Sequence, residues 1–391
     1  MKTIMMLLIV FSEMTVSKLS VNAQTTPKDS LYLGRIFPGA NPEIFQLKVS
    51  PGHFVAERIA VSNDGSEIFY SEIKSYYPIN SARIKSYRFT DGKWTGPFVL
   101  FEDYCAPALS VTGDTLYFEN GTSETFISVK NGIKWSDPKR ILYQLDSAHY
   151  MQVTNSGNYY ISSRAENTIG VSDWCKLSFT GSDTVAIGLG MPLNTAWENL
   201  DFFVSLDESF MIVTTPFGLS ISYPKSDGTW TNPRNLGPEI NFGLGMWGPY
   251  VTPDNKYLFY TTGTKPDYSD VYTYWVRVDG LIDSLKHTNI PPYAKNKIKC
   301  PAGIIAQSYS FTIPDDTFFD EDGDTTFNYA VTLIDGNPLP SWLSFNAPTK
   351  TFSGTPTEVV ELRILVTATD SAYDSGIAVF KLTISDKPEK Q

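Results

Sequence analysis

Six side chains that could contact a ligand lie at comparable places in the 391-residue sequence, at or just before the start of segments that resemble one another. They are Glu57, Arg58, His149, Tyr150, Asp201 and Trp247. The charged groups could hydrogen-bond a polar ligand, and the two aromatic rings could cover the apolar face of a sugar or a peptide. The two carboxylates could also serve as the paired acids of a glycosidase.

An aspartate-rich turn near the C-terminus suggests a different chemistry. Asp320, Asp322 and Asp324 alternate along the chain, and carboxylate oxygens at such spacing are the donors that calcium prefers. Asp370 could add a ligand from another strand. The turn is not an EF-hand loop, because Thr325 stands where that loop needs glycine. The alternative is that these aspartates only cap a tight turn, and the sequence predicts no other cofactor.

Five repeated segments must position the first group of residues. They align on one hydroxyl-bearing residue each, at Ser62, Ser110, Thr154, Ser205 and Thr252. The residue directly before it is apolar in every segment, and apolar residues or prolines recur two places earlier, which predicts a strand with one buried face. A turn rich in Asp, Asn and Gly follows, and then a strand that is apolar on both faces.

A hairpin turn closed by tryptophan follows in three of these units, at Trp94, Trp135 and Trp230. Four short strands in about 45 residues make one blade of a β-propeller. Five units therefore predict five blades, and six blades is the alternative. The fifth unit ends after its third strand, Val271–Val278, so we expect the segment Ala40–Val49 to supply its outer strand and close the ring.

The segment 252–259, Thr-Pro-Asp-Asn-Lys-Tyr-Leu-Phe, resembles the WD40-like, TolB-type propeller repeat (PD40) with its Ser/Thr-x-Asp-Gly-x-x-Leu-x-Phe pattern. The segment 271–276 is similar to the Asp-Ile-Tyr-Trp-Val ending of that family. Glu208 and Asn255 depart from the pattern, since each replaces the turn glycine. The resemblance covers roughly residues 31–285 and implies an exported propeller, but it implies no particular activity.

The chain leaves the repeat at Ile290-Pro291-Pro292, and short alternating runs then predict an immunoglobulin-like sandwich. These runs are Tyr309–Ile313, Phe327–Thr332, Ser341–Phe345, Lys350–Ser353, Leu362–Thr367 and Ala378–Ile384. Together with the segments 315–324, 339–345 and 352–356, they resemble the dystroglycan-type cadherin-like, Ig-like module. In such a module Trp342 and Leu343 would anchor the core.

The first residues are typical of a secretory signal, with Lys2 followed by the apolar run Ile4–Phe11 and a cleavage site before Gln24. Export permits disulfides, but only three cysteines are present, so they cannot all pair. Either Cys105 and Cys175 form a bridge, or all three thiols are small core residues. No later segment is long enough to span a membrane. We expect an exported protein in the periplasm, at the cell surface or outside the cell.

Composition narrows the class of protein further. A formal net charge of −11 argues against nucleic acid as a partner. An aromatic content of 14% with frequent turn formers favours sheets. The predicted fold is all-β: a five-bladed, alternatively six-bladed, propeller followed by an Ig-like sandwich. The predicted division is a signal at 1–23, a propeller at 31–288, a linker at 289–297 and a sandwich at 298–387.

In a propeller, the first group of residues would lie at the mouth of the central channel, where the inner strands begin. We therefore predict a non-enzymatic binding or scaffold protein whose propeller recognises a glycan, a peptide or another protein. The alternative function is a glycoside hydrolase using Glu57 and Asp201 at the mouth. A third possibility is that these side chains merely fill a narrow channel and hold water. No residue is assigned a catalytic role.

Overall fold

The computed structural model describes residues 26–76, 78–164, 168–180 and 183–387. The predicted signal at 1–23 and its cleavage site before Gln24 lie outside these residues. Strands dominate the described chain, and its helical segments are Lys28–Ser30, Leu31–Gly34 and Asp279–Leu285. Within the described ranges, none of the helices has the length and apolar character needed to cross a membrane.

Five antiparallel sheets follow one another along the first two thirds of the chain, and each repeated segment forms the first two strands of one sheet. The first sheet comprises Phe54–Val61, Glu67–Ile73, Arg83–Thr90 and Lys93–Glu102, with a small hairpin of Ser75–Tyr76 and Ile79–Asn80 between its second and third strands. The second comprises Cys105–Leu109, Thr115–Glu119, Thr125–Asn131, Lys134–Trp135 and Lys139–Arg140. The predicted second strand, apolar on both faces, is buried along its whole length in the first sheet.

The next two sheets repeat this order. The third comprises His149–Val153, Tyr159–Ser163, Asp173–Thr180 and Asp183–Gly188. The fourth comprises Phe202–Val204, Met211–Thr215, Gly218–Ser222 and Arg234–Asn235. In both sheets the strands pair in sequence order, and each is antiparallel to the next.

The fifth sheet is assembled from both ends of the repeat region. Its first three strands are Gly245–Val251, Tyr257–Gly263 and Tyr272–Arg277. The outer strand, Glu43–Ile44, pairs antiparallel with the third, as Glu43 lies opposite Trp275. The predicted pairing of segment 40–49 with the fifth unit is confirmed.

Apolar side chains fill the space between each sheet and the next. Phe69 of the first sheet packs with Phe118 of the second, and separate clusters join the second to the third, the third to the fourth and the fourth to the fifth. A further cluster, with Phe259 and Trp275, joins the fifth sheet back to the first. The aromatic content therefore serves mainly to pack sheet against sheet.

The C-terminal residues form two packed sheets, as the alternating runs predict. One has the order Gly303–Ile304, Ser375–Ser385, Val360–Thr369 and Asn328–Leu333, and the other has the order Tyr309–Thr312, Thr351–Gly354 and Leu343–Asn346. A two-stranded ribbon of Tyr293–Ala294 and Phe318–Phe319 lies beside them. Leu343 is buried in the core between the sheets, and Trp342 packs against that core while partly exposed.

The cysteines are free, so the considered bridge between Cys105 and Cys175 is wrong. Cys105 opens the first strand of the second sheet, whereas Cys175 lies on the third strand of the third sheet and belongs to a different apolar cluster. Both are fully buried as small core residues. Cys300 is only half-buried, and its thiol donates to the Lys381 carbonyl over 3.1 Å.

Candidate functional site

A bend near the start of the inner strands orients the predicted mouth residues. Glu57, Ala106, Tyr150 and Gly248 have φ values of 61°, 55°, 58° and 61°, and strand pairing shifts register at each of them. Such bulges re-aim a side chain away from the sheet. A left-handed conformation costs a non-glycine residue roughly 1–2 kcal/mol, so packing between the sheets must hold these residues in it.

Arg58 joins three of the sheets. Its guanidinium donates from Nε to the Ala106 carbonyl over 3.2 Å, and from Nη1 and Nη2 to the Tyr150 and Met151 carbonyls over 3.3 and 2.8 Å. It also lies 4.5 Å from the centre of the Tyr150 ring. Only 4% of Arg58 is exposed, so this guanidinium serves the backbone and is not available to a ligand.

Glu57 is buried beside Tyr150, whose hydroxyl donates to its Oε2. The Glu57 backbone N–H donates in turn to the Tyr76 hydroxyl over 3.3 Å. Burial, reinforced by the nearby charge of Asp201, raises the pKa of Glu57 to about 8. At neutral pH the uncharged acid therefore predominates at this position.

His149 lies between two carboxylates. Its Nδ1 is 2.9 Å from Glu119 Oε1, and its Nε2 is 3.0 Å from Asp201 Oδ1. Burial acts to lower the pKa of His149, but Glu119 and Asp201 outweigh it and raise that pKa to about 10. The ring is thus an imidazolium at neutral pH, and both of its nitrogens donate.

Asp201 connects His149 to the fifth sheet. Its Oδ2 accepts the Gly248 backbone N–H over 2.9 Å, while Oδ1 accepts from His149. We call Glu57, Arg58, Glu119, His149, Tyr150 and Asp201 the central network. Its members contact all five sheets. The cations Arg58 and His149 balance the carboxylates of Glu119 and Asp201, and Glu57 is neutral. A buried set of charges is stable only when it is paired and hydrogen-bonded in this way.

Glu119 is the one member of the central network that the sequence did not suggest. It ends the second strand of its sheet and lies opposite Cys105. At the matching place the first, third and fifth sheets have Ser71, Ser162 and Thr261. In the sequence, the one sign of its role is that a carboxylate stands where the other three sheets have a serine or a threonine. Only the folded structure shows that Glu119 contacts His149.

A cleft of about 440 Å³ opens beside the network, between loops of the fourth and fifth sheets. We call it the mouth cleft. Of the six predicted residues, Asp201 and Trp247 line it, and Tyr268 and Trp197 lie on its wall. Trp247 is half-buried, stacks on Tyr76 at 4.6 Å between ring centres and meets the Tyr268 ring edge-on at 5.3 Å. The mouth cleft is thus lined by the Trp247 ring, which Tyr76 and Tyr268 hold in place, and by the Asp201 carboxylate.

A larger cavity of about 890 Å³ lies between the propeller sheets and the C-terminal sandwich. Its walls include Pro216 and Phe217 from the fourth sheet and Tyr373 and Phe380 from the sandwich. The sequence patterns did not predict this cavity, since it depends on how the propeller sheets and the sandwich meet.

The aspartate-rich turn forms a second candidate site. Asp320, Asp324 and Asp370 each present an oxygen within 4.8 Å of the other two, and we call them the aspartate group. Asp322, also predicted as a ligand, lies outside it and accepts the Ile290 backbone N–H. Asp320 Oδ1 accepts the Asp322 and Gly323 N–H groups at 2.7 and 3.1 Å, so the turn-capping role is also present.

Comparison with known proteins supports the C-terminal assignment. Residues 291–385 match the family described as "Putative Ig domain", as the cadherin-like and Ig-like motifs predict. No curated protein matches the chain. The family match covers about a quarter of the sequence and concerns the sandwich alone.

Solved structures similar to the chain include TolB from Acinetobacter baumannii, at 14% identity and a TM-score of 0.38, covering 56% of this chain and 57% of TolB. The periplasmic gluconolactonase PpgL of Pseudomonas aeruginosa has 11% identity and a TM-score of 0.34, covering 84% of this chain and 86% of the enzyme. An oligogalacturonate lyase from Vibrio parahaemolyticus has 12% identity and a TM-score of 0.34, covering 58% and 67% of the two chains.

The resemblance to TolB that the repeats predict is therefore found among the structures as well. The chain spans little more than half the length of TolB. Because the TM-scores are all below 0.5, the architecture rests on this chain's own strand pairings. Both binding proteins and enzymes are built on such sheets, so function must come from the site.

Proposed function

We propose that this is an exported, non-enzymatic binding protein whose sheets form a closed five-bladed propeller with a ligand site at the channel mouth. Four sheets of four strands and one of five, with an apolar cluster between each sheet and the next and between the fifth and the first, support the closed ring. The outer strand Glu43–Ile44 supports it as well, because it joins the start of the ring to its end.

The observation that carries the binding function is that Trp247 and Asp201 both line the mouth cleft. The Trp247 ring is held by Tyr76 and Tyr268, so little freedom is lost when a ligand stacks on it. Asp201 is fixed by His149 and Gly248 and can accept from ligand hydroxyl or amide groups. A flat apolar face next to a hydrogen-bond acceptor suits a glycan or a peptide.

The central network weighs against the hydrolase alternative. A glycosidase needs two carboxyl groups that face the scissile bond or a water. Glu57 is 5% exposed and accepts from Tyr150, and both Asp201 oxygens already accept hydrogen bonds. Glu57 also does not line the mouth cleft. Glu57 therefore acts as part of the scaffold, and Asp201 lines the mouth cleft without the second carboxyl group that a glycosidase needs.

The test screens the mature chain against a glycan array and a peptide library, and follows release of reducing sugar from the same glycans. We expect retention of one ligand class without turnover. Absence of retention together with turnover would overturn the proposal. In that case Glu57→Gln and Asp201→Asn, checked for native circular dichroism, would show whether these acids carry out the reaction.

A further inference from the structure

We propose that the mouth cleft recognises a basic side chain, arginine or lysine, of a peptide or protein partner. The inference rests on the proposed function and names the ligand class of the same site. A glycan and a peptide both suit an aromatic ring beside a hydrogen-bond acceptor. The charges and the apolar walls of the mouth cleft favour the cationic side chain.

The charged side chains that line the mouth cleft are both acidic. They are Glu198 and Asp201, and no lysine or arginine is among the described residues of its lining. The imidazolium of His149 balances Asp201. Glu198 is exposed and forms no ion pair with any described residue. The mouth cleft therefore carries an unbalanced negative charge, which attracts a cationic ligand and repels an acidic one.

Aromatic rings line the same cleft. Trp197, Trp247 and Tyr268 all contribute to its wall. Stacking on Tyr76 and edge-on contact with Tyr268 hold Trp247 in place. The negative face of an aromatic ring attracts an ammonium or guanidinium group, and tryptophan does so most strongly. Rings and acids in one cleft therefore both favour a cation over a neutral ligand.

Apolar residues at the mouth cleft distinguish a basic side chain from other organic cations. Leu200 and Leu244 line the cleft and are 37% and 60% exposed. Lysine and arginine cover such surface with their methylene stems while the charged head stays among polar groups. An amino sugar carries its ammonium group directly on a ring of hydroxyls, so it has no stem to cover these leucines. A cleft of about 440 Å³ has room for one basic side chain and the backbone beside it.

Gly245 controls the position of the Trp247 ring. A Cβ at residue 245 would lie 2.4 Å from Cζ2 and 2.5 Å from Cη2 of Trp247, so a side chain there must displace the ring. Gly245 is not in the left-handed conformation, and alanine would therefore cause no backbone strain. Gly245→Ala thus moves the aromatic ring without removing it, and it tests whether the ligand depends on the ring's position.

Retention of the mature chain on a peptide library tests the recognition of charge. The library pairs each arginine peptide with its citrulline counterpart and each lysine peptide with its N-acetyllysine counterpart, beside oligosaccharides of glucose and of glucosamine. We expect retention on basic peptides and at least about tenfold weaker binding to their neutral counterparts. Equal retention on the neutral counterparts, or stronger retention on either oligosaccharide, would overturn this inference and leave the proposed function intact. Absence of retention on every probe would overturn the proposed function itself.

Calorimetric titration of the tightest basic peptide into two variants, each checked for native melting, tests the residues. Glu198→Gln should weaken binding about threefold or more and reduce its dependence on salt. Gly245→Ala should weaken binding about tenfold or more through the displaced ring. An unchanged affinity of Glu198→Gln would overturn the recognition of charge, and an unchanged affinity of Gly245→Ala would overturn the contact with Trp247.

Each variant has a matched control. Glu358→Gln removes an exposed acid from the sandwich, away from the mouth cleft. Gly39→Ala adds a methyl group where no described atom lies within 4 Å. Both controls should bind the peptide like wild type. Because Glu198 is exposed, Glu198→Gln keeps the inference testable even if Gly245→Ala fails to fold.

Discussion

His149 Nε2 lies 3.0 Å from Asp201 Oδ1, and this contact ties the third sheet to the fourth. The same ring contacts Glu119 of the second sheet through Nδ1. One imidazolium thus links three consecutive sheets through side chains 30 and 52 residues away from it in the sequence. The stability of the propeller should depend on whether that ring carries its proton.

This dependence predicts a fall in stability as pH rises. The pKa of His149 is about 10 in the folded chain and about 6.5 in an unfolded one, so the folded state holds the proton more tightly. The added stability is complete below pH 6.5 and is lost as pH rises through 10, on the order of 4 kcal/mol. Glu57, with a pKa raised to about 8, changes stability in the same direction above pH 4.5.

Urea unfolding at several pH values between 6 and 10 measures this loss. His149→Gln should be less stable at pH 6 and should lose much less stability as pH rises. His287→Gln is the control, because His287 is exposed and lies outside the central network. A wild-type stability that is flat or rising over this range would contradict the assignment of His149 as an imidazolium.

Arg58 should be required for stability and not replaceable by lysine. Arg58→Met leaves three buried carbonyls without their donor and should cost about 3 kcal/mol or more in the free energy of unfolding. Arg58→Lys should recover only part, since an ammonium group cannot reach three carbonyls in the fork geometry. Arg277→Met, at an exposed pair with Asp279, should unfold like wild type. Equal stabilities of the two Arg58 variants and wild type would refute this role.

Gly248 should tolerate no side chain, because a Cβ there would lie 2.2 Å from Arg58 N and from the Glu57 carbonyl carbon. Gly92 shares its left-handed conformation, with φ of 74° against 61°, but no described atom lies within 4 Å of the place where its Cβ would be. Both alanine variants bear the conformational cost of roughly 1 kcal/mol. Only Gly248→Ala adds a backbone clash, so its melting temperature should fall well below that of Gly92→Ala. Similar melting temperatures would show that the first and fifth sheets do not approach so closely.

Phe45 should be needed to hold the N-terminal segment on the fifth sheet. It follows the outer strand of the fifth sheet, is 1% exposed and packs on Phe259 and Trp275 at 5.1 Å between ring centres. Phe45→Ala should cost about 3–5 kcal/mol in the free energy of unfolding. Phe98→Ala removes a ring that is 55% exposed and should cost far less. If both variants were equally stable, the N-terminal segment would not be part of the apolar core around Phe259 and Trp275.

The repeats were sufficient to predict the sheets, because the alternation before Ser62 and its counterparts commits one face of each strand to burial. The pairing of segment 40–49 with the fifth sheet was also predictable, because the fifth repeat lacks its fourth strand in the sequence. The strand register around Glu57 was not predictable. The bulge of the first sheet spans residues 56–60, one residue more than the bulge at 105–108 in the second sheet. Such a one-residue difference is set by packing between sheets.

The sequence predicted most members of the candidate site, but neither Glu119 nor the contacts between the members. The sequence placed His149 and Asp201 together at the mouth, but not the hydrogen bonds that bind both into a closed network with Glu119. Those contacts join residues on different sheets, and no local pattern encodes them. In the C-terminal turn, spacing suggested Asp322 as a ligand equal to Asp320, whereas turn geometry directs it to the linker.

The central claim is that a ligand binds in the mouth cleft against Trp247. Its most direct test is calorimetric titration of the tightest array or library hit into wild type, Trp247→Ala and Tyr373→Ala, all checked for native melting. Tyr373 is 86% exposed on the wall of the larger cavity and serves as the matched control. We predict a loss of affinity of about tenfold or more for Trp247→Ala and no change for Tyr373→Ala. Unchanged affinity for Trp247→Ala with a loss for Tyr373→Ala would place the ligand in the larger cavity and contradict the account.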